Sequence, residues 1–144
     1  MTIVFSDVID RPIDPSHIEA LVRHPATGAT VLFTGVVRDN DDGRPVIALD
    51  YEAHPVASAT LKELLARWQA DHPDVLKAAA VHRYGSLHVG DVAFCACVSA
   101  AHRAAAFAAC ADLVDRVKAQ LPVWKRQHFA DGVSEWVGVA DAVG

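Results

Sequence analysis

The sequence contains few cysteines, few cations and no long apolar run, and each scarcity excludes a class of protein. Three cysteines in 144 residues cannot all pair within the chain, which favours free thiols in a reducing compartment. No apolar run approaches the length of a membrane span, and the N-terminus lacks a basic region before an apolar segment. We therefore expect a cytoplasmic protein with neither a membrane span nor a signal peptide.

Signatures of nucleic-acid, metal and nucleotide binding are also missing. The formal net charge is −5, whereas nucleic-acid binding favours a broadly basic surface. None of the eight histidines has metal-ligand spacing, and there is no Gly-rich phosphate loop. Cys95 and Cys97 form an isolated Cys-x-Cys, and we interpret them as buried cysteines that pack like small hydrophobes. We expect no nucleic-acid partner, no metal and no cofactor.

The composition that is present is typical of a packed globular domain. Hydrophobic residues make up 52% of the chain and charged residues 22%, so a core can form and disorder is not expected. The length is that of one domain, which we expect to span residues 1–144. The sequence has no internal repeat and no linker.

Three segments are predicted to be helical. The first begins at Asp14, where Pro15 suits a first turn and Ser16 with Glu19 has capping-box spacing; it ends near residue 24. Residues 56–71 have apolar side chains at helical spacing. Residues 102–121 form the longest predicted helix, which Pro122 ends because a proline disfavours helical geometry in the residue before it.

Strands are predicted in the remaining segments, at 2–9, 28–38, 46–53, 76–84, 91–99, 123–129 and 135–139. Turn sequences at 40–43, 85–90 and 131–132 join them in pairs, so we expect three hairpins, the first pairing 28–38 with 46–53. Residues 2–9 are expected at a sheet edge. Because hairpins dominate, the sequence predicts an α+β fold with a largely antiparallel sheet and packed helices.

A cationic segment near the end of the chain is the strongest functional signal. Arg116, Lys118, Lys125 and Arg126 lie within eleven residues that contain no acid, in a protein that is acidic overall. Such a cluster, beside Trp124 and a proline, is typical of a site for an anion. The alternative is a solvated helix end, where cations complement the helix dipole.

Within this segment, the helical wheel places Lys118 at the margin of an apolar face. That face comprises Phe107, Cys110, Leu113, Val114, Val117 and Leu121. Partial desolvation and neighbouring cations both favour the neutral form of such a lysine, which could then act as a base or nucleophile. The alternative is a lysine whose stem lies along the apolar surface with its ammonium group in water.

Two arginines outside the segment are further candidates. Arg103, preceded by His102, falls in the centre of the apolar face, where an arginine is costly to bury without an anion. Arg38 closes a predicted strand, where it could belong to a site or form an ion pair with Asp39 or Asp41. The residues alone leave both alternatives open.

Five ordered blocks together carry a resemblance to a known family. They read GATVLFTGVVRD (28–39), LDYEAHP (49–55), VHRYGSLHVGD (81–91), VSAAHRAAAFAA (98–109) and VKAQLPVWKRQ (117–127). In these blocks the chain resembles the large, catalytic subunit of molybdopterin synthase, over most of its length. The resemblance implies an α/β hammerhead fold and a homodimer that forms a heterotetramer with two copies of a small ubiquitin-like sulfur carrier.

The resemblance also implies a reaction. The carrier's C-terminal Gly-Gly tail, as a thiocarboxylate, would enter a pocket and deliver sulfur twice to cyclic pyranopterin monophosphate, giving the molybdopterin dithiolene. The family's catalytic lysines fall on Lys118 and Lys125. Its substrate-binding positions fall on Val36, Val37, Arg38, His102, Arg103, Lys118, Lys125, Arg126 and Gln127.

Two features qualify this expectation. Gln127 stands where the family usually carries Glu, so a pH profile tuned by that carboxylate would differ here. Arg103 and Lys118 are fifteen residues apart on one predicted helix, about 22 Å along its axis, too far to touch one small pterin. We therefore expect a site shared between two copies of the chain. The rival hypotheses are a non-catalytic module that docks the carrier tail and a small metalloprotein using Cys95 and Cys97.

Overall fold

The computed structural model describes residues 2–137, which form three helices and nine strands. In chain order they are β1 Ile3–Ile9, α1 Pro15–Leu21, β2 Ala29–Val36, β3 Asn40–Asp41, β4 Arg44–Ala53, α2 Ala57–Asp71, β5 Val75–Arg83, β6 Gly85–His88, β7 Val92–Ala100, α3 Arg103–Gln120, β8 Val123–Phe129 and β9 Ser134–Val137. No helix within this range is both long and apolar enough to cross a membrane.

The first sheet has the strand order β1-β5-β7-β2 and carries helices on both faces. Its β1–β5 pair is parallel, and its other pairs are antiparallel. Alternate side chains of β5 and β7 pack either against α2 and α3 or against α1. Because both faces are covered, β7 is buried without interruption from Ala93 to Ala100, as a central strand with two covered faces should be.

The second sheet has the order β3-β4-β8-β9, with β6 paired to the other side of β4. All its pairs are antiparallel. A third group of buried residues, Val37, Leu49, Leu87 and Ala93, comes from both sheets and from the segment after β2. These residues pack the two sheets together beside the site described below.

One contact fixes the two long helices relative to each other. Trp68 of α2 is fully buried, and its indole Nε1 donates a 2.9 Å hydrogen bond to the carbonyl oxygen of Ala109 in α3. A buried indole contributes a large apolar area but needs a partner for its N–H, and here the helix backbone accepts it. The bond anchors α3, which carries Lys118 in its last turn and ends at Gln120.

The predicted α+β class and the largely antiparallel pairing are confirmed, but the first predicted hairpin is wrong. β2 pairs with β7, not with β4. After β2 the chain crosses between the sheets at Val37, which exchanges 2.9 Å backbone bonds with Asp91 and Gly90. The turn instead joins β4 to the two-residue β3, with positive φ angles of 52° at Asp42 and 84° at Gly43. Turn chemistry therefore located the bend correctly but not the partner strand.

The other two hairpins are confirmed, with limits at their ends. β5 pairs with β7, although the short β6 between them was missed. β8 pairs with β9 as far as Val137, and positions 138–139 of the predicted strand lie outside the described residues. The first helix is capped by Asp14, whose carboxylate accepts from the backbone N–H of Ser16, rather than by the predicted Ser16–Glu19 box.

We predict that Gly28→Ala destabilises the fold. Gly28 precedes β2 and donates to the carbonyl oxygen of Ala100, and a Cβ at this position would overlap the carbonyl oxygen of Ala101. Relieving a backbone overlap requires the strand to move, at a cost of about 2 kcal/mol in the free energy of unfolding. Chemical denaturation measures this. In the control Gly35→Ala, the new Cβ would lie 3.5 Å from Phe33, an ordinary contact, so equal losses in both variants would contradict the prediction.

Candidate active site

A cavity of about 530 Å³ lies where the two sheets meet. Its walls come from the ends of β2 and α3 and from β4, β5, β7 and β8. One wall is aromatic, and cationic side chains from three separate segments line the cavity as well. The volume is within the range typical of pockets for small organic ligands.

Alternation along β8 decides which residues of the cationic segment reach the cavity. Lys125 and Gln127 face it, while Arg126 between them faces away, since successive side chains of a strand point to opposite sides. The register with β4 places Lys125 opposite Tyr51 and Gln127 opposite Leu49, and both of these partners also line the cavity.

The other two cations come from the ends of neighbouring elements. Lys118 lies in the last turn of α3 and is exposed, so its ammonium group stands at the cavity opening. Arg38 is exposed and follows Val37, whose side chain is buried in the contact between the sheets. Val36, Val37, Arg38, Lys118, Lys125 and Gln127, all predicted substrate-binding positions, thus surround one cavity.

Lys125, not Lys118, is the desolvated lysine of the site. Burial lowers the pKa of Lys125, and the nearby charges of Arg38 and Lys118 lower it further, while Asp41 opposes them. Of the two alternatives left open for Lys118, the structure favours the lysine with its ammonium group in water, because the side chain at this helix end is exposed. Lys125 lies in mid-strand, with β4 on one side and β9 on the other, so its stem is covered.

Three predicted substrate-binding residues lie away from the cavity. His102 and Arg103 begin α3, at the opposite end of the helix from Lys118, and both are exposed. The predicted burial of Arg103 is wrong because the buried face of α3 starts only at Ala106; Phe107, assigned to the same face, is 62% exposed. Arg126 points to the outer face of its sheet, where its guanidinium lies 5.8 Å from the ring of Trp136.

The aromatic wall was not predicted from the sequence. His82 stacks on Phe94 at 5.7 Å between centroids and meets the edge of Tyr51 at 4.9 Å, and Phe33 packs on Phe94 at 6.0 Å. Burial lowers the pKa of His82 to about 4 and raises the pKa of Tyr51. Strand alternation places Tyr51 on the inner face of β4, but the sequence does not show that β4 and β5 belong to different sheets that meet here.

The cysteines are confirmed as buried small hydrophobes. Cys95 and Cys97 pack under α1, Cys110 lies on the buried face of α3, and burial raises their pKa values to about 11, 12 and 11. Within residues 2–137, no three His, Cys, Asp or Glu side chains are arranged to hold a metal ion. Because their pKa values are raised, the thiols stay protonated at neutral pH. Their burial agrees with the prediction that the cysteines pack as small hydrophobes.

Comparison with solved structures identifies the class of protein that this fold represents. The structure of molybdopterin synthase from Staphylococcus aureus superposes with a TM-score of 0.84 at 31% identity, covering 92% of this chain and 96% of that one. A complex of subunits 1 and 2 of the molybdopterin-converting factor from Helicobacter pylori superposes at 0.70, covering 94% of this chain and 89% of that one; at 19% identity it supports the fold alone.

Sequence comparison identifies the family. The MoaE protein family matches residues 8–120. A molybdopterin synthase catalytic subunit from a Nostoc species is 36% identical over 129 residues, 89% of this chain and 78% of its relative. The chain belongs to the MoaE family, so the resemblance found in the sequence is confirmed, together with a role in molybdenum cofactor biosynthesis.

We predict that neighbouring charges control the pKa of Lys125 in opposite directions. Arg38→Ala removes a cation and raises this pKa towards its ordinary value, while Asp41→Asn removes an anion and lowers it further. Only the neutral amine reacts with acylating reagents, so the labelling profile of Lys125 shifts to higher pH in the first variant and to lower pH in the second. Peptide mass spectrometry measures the labelling. The control is Arg23→Ala, beyond α1, which should leave the profile unchanged. Equal shifts in all three variants would contradict the claim that Arg38 and Asp41 control the pKa of Lys125.

Proposed function

We propose that this chain is the sulfur-transferring catalytic subunit of a molybdopterin synthase. The substrate would be cyclic pyranopterin monophosphate, and the product the molybdopterin dithiolene. The observation that carries the proposal is the convergence of Arg38, Lys118 and Lys125 on a single cavity with an aromatic wall. An aromatic wall suits a planar heterocycle, and fixed cations suit the phosphate attached to it.

The sulfur donor in the proposal is a partner protein. The name of the Nostoc relative, a catalytic subunit, implies at least one further subunit in its enzyme. We propose a small ubiquitin-like carrier whose Gly-Gly thiocarboxylate tail enters the cavity beside Lys118. In each transfer a C–S bond replaces a C–O bond of the pterin side chain: one of these C–O bonds belongs to the cyclic phosphate, which opens, and the oxygen of the other leaves as water. The acyl C–S bond of the carrier is broken by hydrolysis, and the oxygen of the attacking water stays in the carrier's carboxylate. Two carriers are consumed per product.

In this proposal Lys125, Lys118 and Arg38 have different roles. Lys125 is the better base, because its lowered pKa increases the fraction of neutral amine near neutral pH. Lys118, at the opening, would contact the thiocarboxylate and take up protons there. Opening of the cyclic phosphate puts negative charge on phosphate oxygens, which a guanidinium such as that of Arg38 stabilises without rearranging. Buried, unpaired thiols are compatible with the cytoplasm as the site of the reaction.

A reconstitution tests the proposal directly. Purified chain, thiocarboxylated carrier and cyclic pyranopterin monophosphate should give the dithiolene product, detected as its oxidised fluorescent derivative. Binding of the carrier without product formation would instead support a non-catalytic docking module.

We predict that Lys118→Ala abolishes product formation without unfolding the chain. The side chain is exposed, so its truncation should change the free energy of unfolding by less than about 1 kcal/mol. Lys118→Arg should also fail, since a guanidinium keeps its proton. The matched control is Gln120→Ala, on the same helical turn and outside the cavity lining. Substantial turnover by a folded Lys118→Ala chain would remove Lys118 from the mechanism.

We assign His102 and Arg103, two of the three predicted residues that lie away from the cavity, to a second copy of the chain. α3 is unbroken from Arg103 to Gln120, so Arg103 and Lys118 are held about 22 Å apart. We propose that His102 and Arg103 reach the cavity of a dimer mate. A two-fold dimer would then contain two equivalent composite sites.

Complementation tests the composite site. Lys118→Ala and Arg103→Ala chains are each expected to be inactive, but in their mixed dimer one site carries both lesions and the other neither. Co-expression with two affinity tags isolates the mixed dimer, which should regain about half of the wild-type activity. An inactive mixed dimer of confirmed composition would show that each chain builds its site alone.

A further inference from the structure

His82 is a buried polar side chain in the cavity wall that the proposed chemistry leaves without a task. It lies near the end of β5, is 6% exposed and lines the cavity. Its ring is held between Phe94 and the edge of Tyr51. Tyr51 is also the cross-strand partner of Lys125, so His82 lies one side chain beyond the desolvated lysine.

Its hydrogen bonding fixes the tautomer. Nδ1 lies 2.8 Å from the carbonyl oxygen of Arg83. A carbonyl oxygen only accepts, so Nδ1 carries the proton and donates it. Burial lowers the pKa of the ring to about 4, which keeps the imidazole neutral at physiological pH. Nε2 is therefore a bare acceptor, and no residue between 2 and 137 donates a hydrogen bond to it.

A second acceptor lies in the same cavity. Oε1 of Gln127 is enclosed and has no hydrogen-bond partner within the described part of the chain. Leaving a buried acceptor without a partner is costly, so an acceptor that lines a cavity gains from a ligand that donates to it. Acceptors inside the cavity and cations around it are therefore complementary to a ligand with N–H donors at one end and an anion at the other.

We propose that Nε2 of His82 accepts a hydrogen bond from a ring or amino N–H of the pterin and so selects and orients the heterocycle within the cavity. This inference rests on the proposed function, whose substrate, a pterin phosphate, has both an N–H edge and an anion. The planar ring would lie against Phe94 and Phe33, with its phosphate towards Arg38. His82 is thus a specificity-determining residue and takes no part in proton transfer.

Paired substitutions separate the acceptor from the shape of the ring. His82→Phe keeps an aromatic ring between Tyr51 and Phe94 but removes Nε2. His82→Gln can place an amide oxygen near the former Nε2, whereas the shorter His82→Asn cannot reach it. Steady-state rates with cyclic pyranopterin monophosphate and carrier should show KM for the pterin raised about tenfold in the Phe and Asn variants, the effect of one lost hydrogen bond. The kcat should change less than about twofold, and the KM of the His82→Gln variant should stay close to the wild-type value.

A binding measurement keeps the inference separate from the proposed reaction. The probe is 6-hydroxymethylpterin, which lacks a phosphate, titrated by its own fluorescence. Its affinity should fall about tenfold in His82→Phe and His82→Asn and recover in His82→Gln. Failure of the wild-type chain to make product would sink the proposed function but leave this titration valid. Unchanged affinity in all folded variants, or equal losses in Asn and Gln, would overturn the role of Nε2.

Discussion

The register between β4 and β8 is the constraint on which the candidate site depends. It sets Lys125 opposite Tyr51 and Gln127 opposite Leu49, with all four side chains on the face that lines the cavity. A slip of one residue would turn Lys125 outward and bring Arg126 into the cavity. Phe129, fully buried and opposite Val46, helps to fix this register, because the same slip would expose its ring. Packing of Phe129 at the end of β8 therefore helps to keep Lys125 facing the cavity.

The site also depends on where the two sheets meet. Lys125 belongs to one sheet and His82 to the other, and Tyr51 connects them by contact with the imidazole ring. Burial acts on both basic groups in the same direction and lowers both pKa values, but the results differ. The lysine becomes a better base near neutral pH, while the imidazole becomes a fixed neutral acceptor. Desolvation thus suits the two groups to the two different roles proposed for them, according to the ordinary pKa of each group.

Local patterns predicted the elements of this fold better than their pairing. Helix-start residues located the first helix, apolar spacing located the second, and Pro122 marked the end of the third; turn residues located the bend at Asp42–Gly43. The pairing of β2 with β7 was missed because it joins segments about sixty residues apart, with no turn between them to signal it. For the site, the sequence predicted both Lys125 and Arg126, and only the structure separates them, with Lys125 lining the cavity and Arg126 outside its lining. The aromatic wall could not be predicted, since His82 and Phe94 reach the cavity only through the packing of one sheet on the other.

The length and rigidity of α3 connect the fold to its assembly. Trp68 bonds to the helix at Ala109, in its first half, and the unbroken helix from Arg103 to Gln120 keeps its two ends apart. A straight helix of this length separates Arg103 from Lys118 by about 22 Å, more than one pterin phosphate can span. His102 and Arg103, which the resemblance assigns to substrate binding, are thus held at the surface, away from their own cavity. Because the helix holds its ends apart, it is suited to present Lys118 to one cavity and Arg103 to the cavity of a second copy. In this proposal the site is complete only in the dimer.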